Sequence, residues 1–510
     1  MKYFPFDLEN FYEIKKKFPT QNFDWPVKDQ EIETLFNEIL TLFLKKIYLL
    51  SEKEKVIIFS DFQFFYFIFQ HIYSSKINKK INKKYNLKHF VKGDSYKYFF
   101  PKQSSKLFKY DLTKKNENIK NLIKNIVYNN LKNKKLNLFF LGSRSKISNH
   151  YIDANNIGVK YISVNKFTKT KFRFPDTINE FTDQFFSELN ILLKKKHSFS
   201  IEFDTLKRKY LIRLITINNI VNNILTDKDN YLKIDGVIFS QIMNPLYRAI
   251  AGSFKLLDKS SISFDHGTSV HYYDEIIDTI FLLNSTTHVC FNKISKQNLS
   301  TRIKDSKFSF HLKKIKLIYN KEVIHNSFFK NHNNQIIDLA KKEKIILLMG
   351  FPMGSLIYPG LHGYSYFNKV NLELDLIKYL KTIGCKVLYK VHPERAHPVD
   401  KIMEKYCDKI IYERFENLKK IKFDAILHTY YLGSTFTYSL CGNYNIIVLD
   451  QDLKKCTKEF KKILKDRCHV IKGGSINGIV NFEKHKLKKI ITNLNVNNDI
   501  NLKGIKNYLK

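Results

Sequence analysis

Two neighbouring stretches decide the fold. KVLYKV (386–391) is a run of apolar, β-branched and aromatic residues that stops at His392-Pro393-Glu394-Arg395. DAILH (424–428) is a second such run. It is followed by Gly433-Ser434-Thr435, a short helical segment at 436–441, Gly442, and a third run, IIVLD (446–450). Continuous apolar runs separated by helical segments predict strands of a parallel sheet buried on both faces. Ligands of open parallel sheets bind beyond the carboxyl ends of the strands. His392 and the Ser434-Thr435 pair both fall at such ends, so an imidazole, two hydroxyls and a helix N-terminus gather at one crevice. Such a crevice suits a phosphate or phosphosugar.

Working outward, the same alternation appears earlier in the chain. DGVIFS (235–240), a helix opened by Pro245, SISF (261–264) and THVCFN (287–292) read as a second β-α-β series. EKIILLM (343–349) begins the later unit, and the polar stretch 321–342 bridges the two. The fold class expected is therefore α/β, with two Rossmann-like domains facing across a cleft and a helical lead-in over residues 1–50. The domains are drawn as 1–330, an acceptor-side unit, and 331–480, a donor-binding unit, with a helical tail at 481–510. KVIIFS (55–60) reads as a first buried strand, followed by a Phe-rich segment that belongs to the core. LNLFFL (136–141) is another strand, leading into Gly142-Ser143-Arg144-Ser145. Residues 165–225 read as mostly helical. Gly473-Gly474-Ser475 reads as a turn in a Lys-rich helical region.

The chain has 510 residues and a formal charge of +39. That length predicts two or three domains. Lys, Asn, Ile, Phe and Tyr are abundant together, which points to compositional drift as the main source of the charge. Even so, such a surface attracts anionic lipid and nucleotides. No RNA- or DNA-binding module is recognisable, so no specific nucleic-acid partner is expected. Six cysteines, Cys290, Cys385, Cys407, Cys441, Cys456 and Cys468, form no CxxC pair. They fit a reduced, cytoplasmic setting without a zinc site. The N-terminal residues show no secretory pattern, and the most apolar window, 59–73, is too short and too polar to span a bilayer.

Three motifs carry candidate chemistry. Asp265-His266-Gly267 ends a strand. There His266 is suited to general-base work near neutral pH, Asp265 can orient it or act itself, and Gly267 lets a ligand approach the backbone. His392-Pro393 places a histidine at a strand tip, because the proline ends the ladder. Arg395 beside it can fork onto a phosphate. Gly433-Ser434-Thr435 opens a helix, where Ser434 is an apt cap and the remaining N–H groups can serve an anion.

His392-Pro393 followed some forty residues on by Ser434-Thr435 resembles the HP and S-S/T motifs of bacterial sialyltransferases and capsule Kdo transferases. Asp265-His266-Gly267 resembles the HG element of CDP-glycerol glycerophosphotransferases and capsular polysaccharide transferases. The likeness covers roughly residues 235 to 455. It implies a GT-B fold and a metal-independent glycosyltransferase of surface polysaccharide synthesis. The substrates it implies are a CMP-linked sugar donor and a glycan or lipid-linked acceptor, with no further cofactor. His392, Ser434 and Thr435 would hold the donor phosphate, helped by Lys390, Arg395 and Gly433, and Asp265 or His266 would deprotonate the acceptor. The sialyltransferases carry an acidic D/E-D/E-G motif where this chain has Asp265-His266-Gly267, which leaves the base open between the two side chains. The rival readings are a CDP-glycerol-type glycerophosphotransferase, a UDP-sugar 2-epimerase-like enzyme, and, from another class, a basic nucleic-acid-binding or scaffold protein. The expected location is cytoplasmic, with possible peripheral contact at the anionic inner face of the membrane.

Overall fold

The computed structural model describes residues 29–72, 136–142, 146–239, 244–265, 282–319, 343–350, 366–391, 403–431, 434–450, 456–476 and 479–494, apart from isolated positions within these ranges. The first part runs α1 (Asp29–Ile47), α2 (Glu52–Ser60), β1 (Leu136–Leu141), α3 (Lys146–Ala154), β2 (Ile157–Tyr161), α4 (Asp176–His197), α5 (Asp204–Thr226), β3 (Gly236–Phe239), α6 (Pro245–Leu256), β4 (Ser260–Phe264), β5 (Thr287–Cys290), α7 (Lys293–Asp305) and β6 (Lys316–Tyr319). The second runs β7 (Ile345–Met349), α8 (Tyr366–Thr382), β8 (Lys386–Lys390), β9 (Lys409–Ile411), β10 (Ala425–His428), α9 (Ser434–Cys441), β11 (Asn445–Asp450), α10 (Lys458–Arg467), β12 (His469–Ile476), β13 (Ile479–Phe482) and α11 (Lys484–Thr492).

The strands form two separate sheets. One has six strands in the order β2-β1-β3-β4-β5-β6. The other has seven in the order β13-β12-β11-β10-β7-β8-β9. Every described pairing is parallel except β12 with β13. In each sheet the chain starts in the middle, steps outward on one side and then returns to build the other. The order therefore reverses between β1 and β3, and again between β7 and β10. These are the topological switch points, where a crevice opens at the carboxyl edge of a sheet.

Both faces of both sheets are buried, as the unbroken apolar runs require. In β1, Phe139 and Leu141 join one core while Leu138 and Phe140 join another. In β10, Leu427 and Ile426 divide in the same way. At the amino edge an aspartate locks each central pair. Asp235 precedes β3, donates its N–H to Asn137 O at 2.9 Å and accepts Asn137 N–H on Oδ2 at 2.6 Å. Asp424 precedes β10 and does the same with Ile345, at 2.7 and 2.6 Å.

The segment read as a strand at 55–60 is helical. Ser51 caps α2 in a reciprocal box with Glu54, which satisfies orphan N–H groups that an extended segment would not present. Its apolar residues still reach the core, and so does the Phe-rich segment: Phe62, Phe64, Phe65 and Phe69 are buried. There a buried ion pair, Arg213 Nε to Asp61 Oδ2 at 2.6 Å, ties that segment to α5. The Gly473-Gly474-Ser475 turn is in fact the interior of β12. A Cβ on Gly473 would lie 2.5 Å from Phe482 Cβ, so glycine lets β12 and β13 close on one another. The second sheet continues to Phe482, and α11 buries Leu487 and Ile491 against the core. The expected bridge at 321–342 lies outside the described residues. Among the described residues no helix is long and apolar enough to cross a membrane.

Candidate functional site

The carboxyl edge of the second sheet is built from the tips of β8, β7 and β10, which are adjacent in that order. At the tip of β8, Lys390 is 3 % exposed, and its Nζ donates to Val391 O at 2.6 Å. At the tip of β7, Gly350 N–H donates to Lys390 O at 2.8 Å, and a Cβ at Gly350 would lie 2.7 Å from that same oxygen. Only glycine permits the two strand tips to approach so closely. Beneath them lies the carboxylate of Glu373 from α8. It accepts the Tyr389 hydroxyl at 2.5 Å and, over a longer 3.4 Å, that of Thr429 just past β10. Glu373 and Tyr389 are both fully buried.

The tip of β10 is joined to the start of α9. His428 Nε2 lies 2.9 Å from Ser439 Oγ, and Ser439 donates to Thr435 O at 3.0 Å. Burial pushes the pKa of His428 down to about 3, so the ring stays neutral, and it stands edge-on to Phe436 at 4.9 Å. The sequence therefore fixes the first turn of α9 from within its own strand-helix unit.

The first sheet has a different polar centre. Asp265 follows β4, is 4 % exposed, and accepts Phe291 N–H on Oδ2 at 2.6 Å. Its Oδ1 lies 2.8 Å from His288 Nε2. His288 Nδ1 lies 2.8 Å from Ser263 Oγ, which in turn accepts the Ser285 hydroxyl at 2.8 Å. Ser263, Ser285 and His288 are all buried. Asp265, His288 and Cys290 also place one possible metal-ligand atom each within 4.8 Å of one another. Burial, followed by the nearby Asp265 charge, pushes the Cys290 thiol far above its usual range. A thiolate there needs a cation to balance it, while the carboxylate and imidazole already satisfy each other.

The structure thus brings Lys390 and the Ser434-Thr435 helix start to one edge, one strand apart, and puts Asp265 on the carboxyl edge of the other sheet. His266, Gly267, His392, Pro393, Arg395 and Gly433 lie outside the described residues. Ser434 opens α9, and Thr435 is half-buried in its first turn. Sequence reasoning did not find Glu373, His428 or His288. The available signal was a histidine inside an otherwise apolar strand run, in DAILH and again in THVCFN, since a buried imidazole needs a partner.

No protein-family model matches the chain, and no curated protein sequence matches it. Among solved structures it is similar to Os79 from O. sativa in complex with UDP, at 8 % identity and a TM-score of 0.34, over 77 % of this chain and 92 % of that one. It is also similar to UGT89C1 of Arabidopsis thaliana, at 12 % identity and a TM-score of 0.37, over 76 % and 89 %. LpCGTa in complex with UDP matches at 8 % identity and a TM-score of 0.37, over 73 % and 93 %. At these values the likeness is one of outline.

Proposed function

We propose that this chain is a glycosyltransferase that moves a sugar from a nucleotide-activated donor to a glycan or lipid-linked acceptor. The observation that carries the reading is the contrast between two equivalent helix starts. α6 follows β3 and α9 follows β10, each at a switch point. The start of α6 is closed: Asn244 Oδ1 accepts from Leu246 N and Tyr247 N, and Pro245 has no N–H to offer. α9 instead begins with Ser434-Thr435 after a glycine, beside a buried lysine at the next strand tip but one. The donor phosphate is therefore assigned to the second sheet, where the N–H groups of α9, with Ser434 and Thr435, meet it and His392, Lys390 and Arg395 supply positive charge.

In the reaction, a base on the first sheet, Asp265 or His266, takes the proton of the acceptor hydroxyl. The acceptor oxygen forms a bond to the anomeric carbon. The bond from that carbon to the phosphate oxygen breaks, and its electron pair leaves with the nucleotide. Cations and N–H donors stabilise the charge that grows on the departing phosphate. These protein groups can balance that charge, so the scheme assigns no step to a metal. The resemblance of the HP and ST motifs makes a CMP-linked donor and a surface polysaccharide the specific form of the proposal, carried out in the cytoplasm near lipid-linked acceptors.

The test is a panel of CMP-, CDP-, UDP- and GDP-activated donors, read by thermal shift and by nucleotide release. Stabilisation and release specific to cytidine nucleotides support the specific form. Response to a uridine donor keeps the transferase and changes the base recognised. Release of CMP from CDP-glycerol with transfer of glycerol phosphate points to attack at phosphorus. No binding by any donor contradicts the proposal.

A further inference from the structure

We propose that Asp265, His288 and Cys290 form a binding site for a single zinc ion inside the first sheet. The proposal rests on contacts alone and stands apart from the transferase reading. Pairing sets Ser263 opposite His288 and Phe264 opposite Val289, and Asp265 N–H continues the ladder to Val289 O at 3.1 Å. Side chains alternate across a strand, so Ile262, Phe264, Val289 and Phe291 turn to one core, while Ser263, Asp265, His288 and Cys290 share the opposite face. All four of these are buried. Asp265, His288 and Cys290 offer an oxygen, a nitrogen and a sulfur that all lie within 4.8 Å of one another. Among the described residues no other group of three such side chains is this close. No CxxC pair announces the set, because its members come from two paired strands, and His288 and Cys290 share a face through the two-residue period of a strand.

Zinc is a borderline-soft ion that takes thiolate, imidazole and carboxylate together, and a three-ligand set leaves the fourth tetrahedral position to water. The edges of such a tetrahedron measure about 3.3–3.6 Å, so the 2.8 Å contact between His288 Nε2 and Asp265 Oδ1 opens by about 0.5 Å on binding. The outer contacts are already in place. Phe291 N–H holds Asp265 Oδ2 at 2.6 Å, which leaves Oδ1 for the ion. His288 Nδ1 lies 2.8 Å from Ser263 Oγ, which also accepts the Ser285 hydroxyl at 2.8 Å. With Nε2 on zinc, the neutral imidazole carries its proton on Nδ1 and donates it to Ser263, the kind of outer bond that orients metal-bound histidines. Binding breaks the Cys290 S–H bond, forms the sulfur–zinc bond and releases that proton to solvent, with no change of oxidation state. One carboxylate and one thiolate then balance the dication, so the buried cluster is neutral as a whole. Asp265 cannot hold the ion and take the proton of an acceptor hydroxyl at once, so zinc here closes the choice of base against it.

The experiment uses the full chain, purified without chelators or immobilised metal, and the variants His288→Gln, Cys290→Ala and Cys385→Ala. Metal content is read by elemental mass spectrometry. Stoichiometric zinc is expected in the wild type and in Cys385→Ala, whose buried thiol lies outside the cluster, with the metal lost in the other two. Cobalt exchanged for zinc in the wild type should give tetrahedral visible bands and a thiolate-to-cobalt charge-transfer band in the near ultraviolet. That charge-transfer band should be missing in Cys290→Ala. Where a variant fails to fold, the wild type alone decides: a chelator should lower its urea midpoint and added zinc should restore it. A wild-type protein that carries no metal and takes up neither zinc nor cobalt overturns the proposal. So does zinc retained in full by folded His288→Gln and Cys290→Ala, which places the ion elsewhere. A wild type that turns over no donor defeats the transferase reading and leaves the metal result standing.

Discussion

Set side by side, the two sheets share a frame and differ at their carboxyl edges. β1, β2, β3 and β4 take the places of β7, β8, β10 and β11, with the switch point between the first and third of each set. Asp235 and Asp424 occupy the same position and make the same pair of bonds. The helix after the third strand, however, is sealed by Asn244 and Pro245 in one unit. In the other it starts at Ser434 and is pinned from below by His428 and Ser439. The buried acid is placed differently as well. Asp265 ties β4 to β5, away from the switch point, whereas Glu373 lies under it, touching the residues at the tips of β8 and β10. A repeated architecture thus carries a strand-to-helix bond at one carboxyl edge and a buried histidine–aspartate bond between neighbouring strands at the other.

The largest expected effect lies on the first sheet. Whichever of the two is the base, its variant, His266→Ala or Asp265→Asn, should lower transfer by ~10²–10⁴-fold while leaving nucleotide affinity nearly unchanged. Rate and calorimetric affinity measured on one preparation check it. Full activity in both His266→Ala and Asp265→Asn would remove the acceptor side of the comparison. On the second sheet, His392→Ala loses a charge-assisted bond worth ~1.5–3 kcal/mol, so donor affinity and turnover should fall by about ten- to a hundred-fold. An equal loss in a first-sheet variant would show that the two edges are not specialised.

The pin beneath α9 predicts a pH dependence. An unfolded histidine takes its proton near 6.5, but His428 in the fold does so only near 3. Between these values the unfolded state binds the extra proton. Stability should therefore drop as pH falls from about 6.5 towards 3, by at most ~1.4 kcal/mol per unit, with no contribution above 7. Urea titrations of wild type and His428→Phe check it: the variant should be flatter over that window, and parallel curves would refute the pin. The smallest effect belongs to the sealed helix. Asn244→Ala should cost ~1 kcal/mol of stability and leave nucleotide affinity unchanged. A change in that affinity would mean that the first switch point also binds ligand.

Much of this frame is legible in the chain because strands buried on both faces must be apolar throughout. IILLM, KVLYK, AILH and NIIVLD stand out for that reason. The strands β2, β6 and β9 were passed over: an exposed lysine, Lys160, interrupts β2, and β6 and β9 are edge strands that begin with an exposed lysine and are only partly buried. β12 was hidden by glycines that serve close packing, and α2 by a β-branched run whose capping box outweighed it. The site was legible as strand ends and a helix start. Its supporting shell was not, because His288 meets Asp265 only once β4 and β5 are paired, and Glu373 meets Tyr389 only when α8 packs on β8.

The most direct test of the central claim is amide hydrogen exchange of the full chain with and without CMP. The account predicts added protection at the carboxyl edge of the second sheet, in peptides covering Gly350, Lys390 and Ser434 to Ser439, with none at residues 244–247. Protection at the start of α6, or no protection anywhere with any nucleotide, would contradict it.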